Sequence, residues 1–371
     1  MKRLVLLGGG HSNVEVLRAF RVHPAGVCVT LVDPARFAAY SGMLPGLVAG
    51  HYGFHDCHID LAGLARGAGA HFVQARACGI DAARRKIELD DGAALDFDLI
   101  SLDVGSVPAS AGLPGIAEHA IPVRPVATFL HDWTMLIERA QTGTLGKLVL
   151  VGGGAAGVEL ILAMQYRLAQ VAPPKAIQFA LVTDADRLLP GATAGTRAAL
   201  QCLLARRGIA VHLNARVTRV EPGAVVFLGD DRVAADAAVW ATGAGAPAWL
   251  RETGLMLDDD GFILVNEHLQ SVSRADVFAA GDCATMVAHA YPKSGVYAVR
   301  QGPILAENVR QALAGKPLAI YRPQRRALAL ISGGDKYAVA SYGNFTLAGA
   351  WVWRWKNHID RRFVARYRVV G

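Results

Sequence analysis

The stretches LVLLGGGHSNVEVL at residues 4–17 and LVLVGGGAAGVEL at residues 148–160 decide the fold predicted for this chain. In each, an apolar run typical of a β-strand leads through three glycines into an apolar pattern with helical spacing. Glycine is needed at such a turn because a side chain would keep the backbone away from a pyrophosphate. The helix that follows directs its free N–H groups at the same anion. One such motif is weak evidence, but two in the same strand–turn–helix context predict two dinucleotide sites.

The composition is that of a folded protein with substantial cores. Of the 371 residues, 53% are hydrophobic and 19% are charged, which allows two or three domains and gives no sign of disorder. No apolar run approaches the roughly 20 residues that cross a membrane. In the N-terminal MKRLVLLGGG the apolar stretch is only residues 4–7, which predicts a first strand rather than a signal peptide. The cytoplasm is therefore the expected location.

Cysteine usage and charge exclude several classes of protein. The five cysteines are scattered and form no CxxC or CxxxxC pair, which argues against a disulfide framework and against a redox dithiol close in sequence. The net charge of +7 leaves nucleic acid, an anionic membrane surface and anionic nucleotides open as partners. The basic excess is concentrated at residues 354–368 and no recognised nucleic-acid module accompanies it, so no nucleic-acid role is expected.

The order of elements is repeated along the chain. After the first glycine turn a strand ends at Asp33, whose carboxylate would accept hydrogen bonds from an adenosine ribose or, alternatively, form a turn before Pro34. A hairpin follows, and then a buried strand that runs into a glycine turn at residues 98–108. The second glycine turn is followed by a strand at 177–184, a hairpin and the same strand-then-glycine pattern at 236–247. This repeat predicts an α/β fold with two Rossmann-like dinucleotide-binding domains.

This order of motifs resembles the pyridine nucleotide-disulfide oxidoreductase superfamily, flavoproteins with two dinucleotide-binding domains. The first glycine turn resembles the FAD site of that superfamily. VFAAGDCA at residues 277–284 resembles its second FAD motif, in which Asp282 would bind the flavin ribityl chain at a helix N-terminus. LDVGSVP and WATGAGAP resemble its two linker motifs, and the second glycine turn resembles its NAD(P)H site. The resemblance implies a glutathione-reductase-like fold.

The resemblance also implies domain boundaries and cofactor-binding residues. The NAD(P)H-binding domain, 121–254, would be inserted in a discontinuous FAD-binding domain, 1–120 and 255–320, with a C-terminal segment, 321–371, of strands and then an amphipathic helix. The residues expected to bind FAD are Gly8, Gly10, His11, Ser12, Asn13, Asp33, Ser41, Pro45, Ala75, Gly105, Gly281, Asp282 and Val296. The residues expected to bind NAD(P)H, an exchangeable co-substrate, are Gly152, Gly154, Ala155, Ala156, Gly157, Thr183, Asp184, Thr242 and Gly243.

The loop that would carry a redox dithiol contains no cysteine. Disulfide reductases have a CxxxxC pair just after the acidic strand, where this chain reads YSGMLP at residues 40–45. That loop and PKSGVYAVRQGPILAENV at 292–309 resemble type II NADH:quinone oxidoreductases. SGMLPGLVAGHY, DCHIDL, YPKSGVYAVRQGP and WKNHIDRRF are similar to the flavoprotein module found fused to selenide, water dikinase in some bacteria. The resemblance implies an FAD-dependent NAD(P)H oxidoreductase that passes hydride to the flavin and then to a quinone-type acceptor. A reductase of selenium or sulfur metabolism and a redox sensor without turnover are the alternatives.

Two positions depart from the superfamily pattern. Asn13 stands where the third glycine of the first turn is usual, and it would either loosen helix–strand packing or bring a polar group to the phosphates. After the second glycine turn, Thr183 stands where the strand-end acid is usual, with Asp184 next to it. Arg187 is close enough in sequence to meet a 2′-phosphate. The sequence therefore leaves both NADH and NADPH open.

The resemblance gives three candidates for a part in catalysis. Glu159 would face the contact between nicotinamide and flavin, where it would orient the nicotinamide or relay a proton; the alternative is a solvated glutamate of the first helical turn. Lys293 and Arg300 would lie beside the isoalloxazine and stabilise the anionic reduced flavin, or else be ordinary charges of a helix surface.

Two other groups of residues are interpreted as structural. His51, His55, Cys57 and His58 are close in sequence, but their spacing matches no standard zinc pattern, so no metal is expected. Cys283 would begin a helix, where a thiolate is stabilised, but no second cysteine lies near it in the sequence. We interpret Cys283 as a small packing residue.

The C-terminal run predicts an amphipathic helix. Its apolar residues fall on one helical face, and they are Val352, Trp355, Ile359, Phe363, Tyr367 and Val370. Trp351 and Trp353 flank this face, and arginines occupy much of the rest. A helix lying in a membrane interface and a helix docked on the flavin domain both fit this pattern. The first would make the protein peripheral on the inner face of the cell membrane through residues 351–371, and a homodimer is also left open.

Overall fold

The computed structural model describes residues 1–22, 26–109, 112–174, 176–289, 291–324 and 326–368. Its first part is built around a parallel sheet. The elements are β1 (Arg3–Leu7), α1 (His11–Val22), β2 (Cys28–Val32), β3 (Phe37–Ala39), α2 (Leu44–Val48), α3 (Phe54–Cys57), β4 (His58–Asp60), α4 (Leu61–Gly67), β5 (His71–Val73), β6 (Ala77–Asp81), β7 (Lys86–Leu89), β8 (Ala94–Asp96), β9 (Leu99–Leu102) and β10 (Val107–Pro108).

The middle of the chain forms a second parallel sheet with its own helices. The elements are α5 (Ile116–His119), β11 (Ala120–Pro122), α6 (Val126–Gln141), β12 (Lys147–Val151), α7 (Ala155–Val171), β13 (Gln178–Val182), α8 (Ala194–Arg206), β14 (Ile209–His212), β15 (Val217–Glu221), β16 (Ala224–Phe227), β17 (Arg232–Ala234), β18 (Ala237–Trp240) and β19 (Ala244–Gly245).

The chain then returns to the first sheet and ends in a hairpin and a helix. These elements are β20 (Ile263–Val265), β21 (Val277–Ala279), β22 (Ala284–Met286), α9 (Gly295–Ala314), β23 (Ala329–Ser332), β24 (Ala338–Tyr342), β25 (Phe345–Gly349) and α10 (Ala350–Ala365). Single turns of 3-10 helix occur at Ser41–Met43, Ala248–Glu252 and Gly281–Cys283.

In the first sheet the described strands run parallel in the order β21, β9, β1, β2, β5. β1 is central: Leu4 is opposite Val29 of β2 on one side and Leu99 of β9 on the other. Both faces of β1 are covered, which explains why LVLL is continuously apolar rather than alternating. The edge strand β21 comes from residues far beyond the second sheet, so this domain is discontinuous in sequence.

In the second sheet the described strands run parallel in the order β11, β18, β12, β13, β14. The short strands β10 and β19 pair antiparallel and join the two segments that the sequence analysis named as linkers. The α/β class with two Rossmann-like halves is confirmed. The individual domain boundaries stay a prediction.

The C-terminal segment contacts both halves of the molecule. β23, β24 and β25 form an antiparallel meander, and Thr346 of β25 contacts Thr193 and Thr196 at the start of α8, with Oγ–Oγ distances of 2.8 and 2.9 Å. α10 packs on the first half instead, where the rings of Phe363 and Tyr40 stack with centroids 4.4 Å apart. Among the described residues, no helix is long and apolar enough to cross a membrane.

The predicted apolar face of α10 is only partly right. Val352, Phe363 and Tyr367 are buried, whereas Trp355 and Ile359 are 40% and 38% exposed. Val370 lies outside the described residues. The helix is rotated relative to the predicted face because Lys356 and Asp360, one helical turn apart, are buried and bond to each other at 2.8 Å. Trp351, Trp355 and Ile359 form an exposed row at intervals of four residues, which we call the apolar stripe.

Candidate functional site

The first glycine turn joins β1 to α1 at the carboxyl end of the first sheet. Gly8 has φ +88°, and the N–H of Gly9 donates to Asp33 Oδ2 at 2.7 Å. Asp33 Oδ1 accepts from the N–H of Ala35 at 2.8 Å, and burial raises the pKa of this carboxyl. The structure thus brings together the glycine turn and the acid at the end of β2, and their role in binding a cofactor stays a prediction.

A buried carboxyl that the sequence analysis did not single out lies under this turn. Asp103, directly after β9, is 4% exposed, and its Oδ2 accepts from the N–H of Ser12 at 2.7 Å and of Asn13 at 3.2 Å. A Cβ on Gly10 would stand 2.2 Å from Asp103 Cγ, so this position has no room for a side chain. Burial raises the pKa of Asp103 to about 7. An acid following a buried strand was the available signal, because ligands bind at the carboxyl ends of parallel strands.

Asn13 does neither of the two things expected of it. Its Nδ2 lies 2.9 Å from Gly8 O, 3.1 Å from Ser101 O and 3.2 Å from Leu7 O. Its Oδ1 accepts from Ser101 Oγ at 2.7 Å. The side chain is therefore buried under the ends of β1 and β9, where it ties the two strands to α1 instead of loosening the packing or reaching toward the phosphates.

Replacing Asn13 with alanine is expected to lower the free energy of unfolding by about 2–4 kcal/mol, because several buried polar groups lose their partner at once. Chemical denaturation of the flavin-free protein measures this loss. The matched control is Asn357→Ala on α10, where the lost hydrogen bond is to the exposed Arg361. A change at Asn13 as small as that at Asn357 would contradict the prediction.

The predicted second FAD motif faces the same site. Gly281 has φ +68°, and its N–H donates to Gln301 Oε1 at 2.8 Å. Asp282 forms an ion pair with Arg124 at 3.2 Å and accepts from Ser106 Oγ at 3.3 Å. Arg124 lies between the two halves of the chain and was not predicted, because nothing in its local sequence marks it as a partner of a residue so distant.

The expectation that Asp282 begins a helix is wrong. Asp282 lies in a single 3-10 turn, after which β22 pairs in parallel with β20, and α9 begins only at Gly295. Pro292 stands between them and disfavours helical backbone at the residue before it, which helps to delay the helix. Cys283 is fully buried in the same turn, and burial raises the pKa of its thiol to about 12, which agrees with a packing role.

His11 and Ser12 begin α1 and contact other elements of the site. The His11 ring packs beside the stacked rings of Tyr40 and Phe363, with centroid distances of 5.3 and 5.9 Å. Burial lowers the pKa of His11 to about 4, so the ring is neutral, and none of the described residues hydrogen-bonds its buried Nε2. Ser12 Oγ donates to Ala298 O at 2.8 Å and so joins α1 to α9. A buried nitrogen without a protein partner, beside glycines that exclude side chains, fits a bound cofactor.

The remaining residues predicted to bind FAD differ in burial and in backbone conformation. Ser41 Oγ would stand 3.1 Å from a Cβ on Gly295, so the loop at 40–45 touches the start of α9. Pro45 in α2 and Ala75 after β5 are buried, Gly105 has φ +71°, and Val296 is 40% exposed in the first turn of α9.

The second glycine turn is closely packed where the helix meets the strand and exposed to solvent at the start of α7. Gly152 has φ +135°, and a Cβ on Gly157 would stand 1.9 Å from Gly152 O, which fixes glycine at the helix–strand contact. Gly154, Ala155 and Ala156, at the start of α7, are exposed. In the first turn, by contrast, the N–H groups of Ser12 and Asn13 donate to the buried carboxyl of Asp103. The two turns therefore differ in how readily solvent reaches the helix N-terminus.

The rim of the second turn leaves the nicotinamide preference open. Thr183 is buried, and its hydroxyl accepts from the N–H of Ala185 at 3.3 Å. Asp184 is exposed beside it, and Arg187 is paired with Asp186 at 2.5 Å on the surface. Thr242 and Gly243 follow β18 at the same edge of the second sheet.

Glu159 lies where α7, β23, α10 and the loop at 40–45 meet. Its Oε1 accepts from the N–H of Ser332 at 2.7 Å, and burial raises its pKa to about 7, against an opposing effect of the nearby Lys356 charge. The alternative of a solvated glutamate is therefore wrong. The reason is that the C-terminal segment covers α7, which local sequence does not reveal.

Around Glu159 is a set of buried and partly buried polar groups that we call the junction cluster: Tyr40, Gly42, Glu159, Lys356 and Asp360. Lys356 Nζ donates to Gly42 O at 2.6 Å and to Asp360 Oδ2 at 2.8 Å. Burial raises the pKa of Asp360 and of Tyr40, whose hydroxyl interacts with Asp360. Lys356 and Asp360 were not predicted, since an apolar-face argument assigns charged residues to solvent.

The two predicted cations near the flavin differ in their surroundings. Lys293 is partly buried: its Nζ donates to Ala284 O and, at 2.8 Å, to Thr285 Oγ1, and it lies 4.0 Å from the centroid of the Phe262 ring. Burial lowers its pKa. It is therefore not an ordinary surface charge. Arg300 is exposed on α9, which favours the surface alternative for that residue.

The histidines and cysteine at residues 51–58 have separate partners. His51 Nε2 lies 3.0 Å from Gly334 O, His58 Nδ1 lies 2.7 Å from Phe54 O, and Cys57 Sγ donates to Gly53 O. Within the described part of the chain, no three His, Cys, Asp or Glu side chains gather as metal ligands would.

Comparison with known proteins identifies related chains over most of the length. The family described as pyridine nucleotide-disulphide oxidoreductase matches residues 2–302. The chain is 23% identical to the NADH dehydrogenase-like protein YutJ of Bacillus subtilis, covering 91% of each chain. It is 24% identical to the type II NADH:quinone oxidoreductase of Haemophilus influenzae, covering 94% of this chain and 87% of that one.

Among solved structures, the sulfide:quinone oxidoreductase of Aquifex aeolicus is similar, with a TM-score of 0.84. The match covers 99% of this chain and 92% of that one. Because the identity is only 19%, the similarity supports the fold alone.

Proposed function

The chain belongs to the pyridine nucleotide-disulphide oxidoreductase family, and we propose that it is an FAD-dependent NAD(P)H oxidoreductase whose final acceptor is a quinone. The chemistry that bound FAD supplies is acceptance of a hydride from the nicotinamide and delivery of the electrons to a second substrate. The observation that carries the proposal is the contrast between two glycine turns in one chain, one covered and one open.

The covered turn suits a resident cofactor and the open turn an exchangeable one. Residues of the first turn, Asp33 and the Gly281–Asp282 turn would hold FAD, and the unpaired His11 Nε2 is available to it. The exposed start of α7 would admit and release NAD(P)H, whose pyrophosphate the helix N-terminus attracts.

A quinone is favoured because no cysteine pair lies beside the predicted flavin site to carry electrons onward. The loop at 40–45 has no cysteine, and burial raises the pKa of both Cys57 and Cys283 to about 12, so neither is a reactive thiolate. The Haemophilus relative is named for the same pair of substrates, NADH and a quinone. For the junction cluster we propose a proton-donating role: Glu159 would give a proton to the acceptor, while Lys356 holds the cluster together through Gly42 and Asp360.

Anaerobic titration with NADH and with NADPH tests the proposal directly. Flavin absorbance should bleach with at least one nucleotide and return when a soluble quinone is added, and comparison of the two titrations gives the nicotinamide preference. Bleaching that no quinone reverses would exclude the quinone acceptor and support the redox-sensor alternative. A protein purified without flavin that also takes up none would overturn the proposal as a whole.

We further propose that the protein lies on an anionic membrane surface through its last segment. α10 is docked on the protein by one face, and the apolar stripe, Trp351, Trp355 and Ile359, faces outward together with exposed arginines. Phe345 of the adjoining hairpin is 75% exposed. Aromatic residues beside basic ones suit the interface of an anionic bilayer, where a hydrophobic quinone is dissolved. The homodimer stays a prediction that size-exclusion chromatography tests.

Replacing Trp351, Trp355 and Ile359 together with serine is expected to weaken binding to anionic vesicles by about tenfold or more, since the stripe supplies the inserted apolar area. Vesicle co-sedimentation measures the binding. Leu228→Ser with Met256→Ser is the matched control, because these side chains are 70% and 56% exposed elsewhere. Equal binding by the stripe variant and wild type would reject membrane contact through α10.

A further inference from the structure

Asp103 lies between the first glycine turn, predicted to hold the pyrophosphate of FAD, and Gly281 of the predicted second FAD motif. Its Oδ2 is held by the N–H groups of Ser12 and Asn13 in the first turn of α1. Its Oδ1 would stand 2.3 Å from a Cβ on Gly281, and its Cγ 2.2 Å from a Cβ on Gly10. The lack of a side chain at both glycines therefore leaves room for this carboxyl.

The groups that face Asp103 do not neutralise it. Asp282 is a second carboxylate beside Asp103, and Asp282 itself forms an ion pair with Arg124. Lys293 is turned toward Ala284 and Thr285, His11 is neutral, and the Cys283 thiol is protonated. On the other side of the turn, Asp33 adds a further negative charge. Within the described residues, no Lys, Arg or His forms an ion pair with Asp103.

We infer that Asp103 holds a proton whenever the FAD pyrophosphate lies in the first glycine turn, so that FAD binding takes up one proton from solvent. This inference rests on the proposed function. A pyrophosphate carries two negative charges, and an ionised Asp103 would repel them at close range in a site shielded from water. A protonated carboxyl keeps its Oδ2 as acceptor for Ser12 and Asn13 and removes that repulsion.

The expected pH dependence follows from linkage. Burial already raises the pKa of Asp103 to about 7 without FAD, and a bound pyrophosphate raises it further. Below about pH 7 the proton is in place and FAD affinity is constant. Above about pH 7, FAD must recruit the proton, and its dissociation constant rises by up to about tenfold per pH unit. The competing explanation is an ionised Asp103 that only caps α1, which gives no such slope.

Asp103→Asn separates the two explanations, since the amide imitates the protonated acid. Full-length holoprotein is diluted into buffers from about pH 6 to 9, and released FAD is measured by its fluorescence. We expect the wild-type dissociation constant to rise by up to about 100-fold between pH 7 and 9 and that of Asp103→Asn to stay flat. Asp98→Asn, which removes an exposed partner of Arg3 near the start of β9, is the control and should keep the wild-type slope.

Two results would overturn the inference: a flat wild-type profile, or a slope that persists in Asp103→Asn. If that variant does not fold, calorimetry of FAD binding to the wild-type protein in buffers of different ionisation enthalpy tests the inference by itself. We expect uptake of close to one proton per FAD at pH 8. Uptake of no proton would contradict the inference. Failure of the proposed function is distinguishable, because it would appear as no FAD binding at any pH.

Discussion

Gly10→Ala is expected to give a folded protein that purifies without flavin. A methyl group at this position would stand 2.2 Å from Asp103 Cγ and 2.4 Å from both of its carboxylate oxygens. Because Asp103 is fixed by the start of α1, either the carboxyl or the helix must shift, and each shift disturbs the turn that would bind the pyrophosphate. The measurement is the visible flavin absorbance of the purified variant, before and after incubation with excess FAD.

Gly154→Ala is the matched control for this experiment. Gly154 occupies the equivalent place in the second turn, but no atom lies within 4 Å of its Cβ position and its φ is −75°. This variant should keep its full flavin content. Full flavin in Gly10→Ala would show that the first turn is not the FAD site, whereas flavin loss in both variants would point to a general folding defect.

The second large effect is expected from Glu159→Gln, with quinone turnover at pH 6 falling by about 100-fold, the usual range for loss of a general acid. The pKa of Glu159 is raised to about 7, so wild type holds the proton at pH 6 and loses it as the pH increases through that value. Wild-type turnover should therefore fall between pH 6 and 8, and the variant should show little pH dependence. Glutamine retains an oxygen to accept from Ser332, so packing is preserved.

Rapid-mixing measurements distinguish the two roles predicted for Glu159. If it donates a proton, Glu159→Gln slows reoxidation by quinone and leaves flavin reduction by NAD(P)H unchanged. If it orients the nicotinamide, the reduction step slows instead, which would contradict our proposal. Glu307→Gln on the exposed side of α9 is the control and should behave as wild type.

The parts of the fold that follow from local rules were predictable. A glycine turn between a buried strand and a helix has the same form wherever it occurs, so both turns and Asp33 were found from sequence. The start of α8 also follows a local rule, because Thr193 caps the helix by accepting from the N–H of Thr196.

The parts that depend on distant contacts were not predictable. Asp103, Arg124 and Lys356 acquire their roles from partners that are remote in sequence. The α10 pattern was misleading for a physical reason: Lys356 and Asp360 neutralise each other one turn apart, which lets charged residues occupy the inner face and turns Trp355 outward. A prediction from hydrophobic periodicity places apolar residues on the buried face and therefore does not detect a buried pair of opposite charges.

Because the C-terminal helix α10 packs on the N-terminal part of the chain, this part of the fold is completed late in biosynthesis. Phe363 stacks on Tyr40 beside His11, and β21 completes the sheet that β1 begins. A ribosome therefore releases both glycine turns long before β21 and α10 have been synthesised. The inserted second sheet, whose strands all lie between residues 120 and 240, is complete first. Because β21 and α10 complete the first half, we expect flavin to be loaded only after residue 363 has been synthesised.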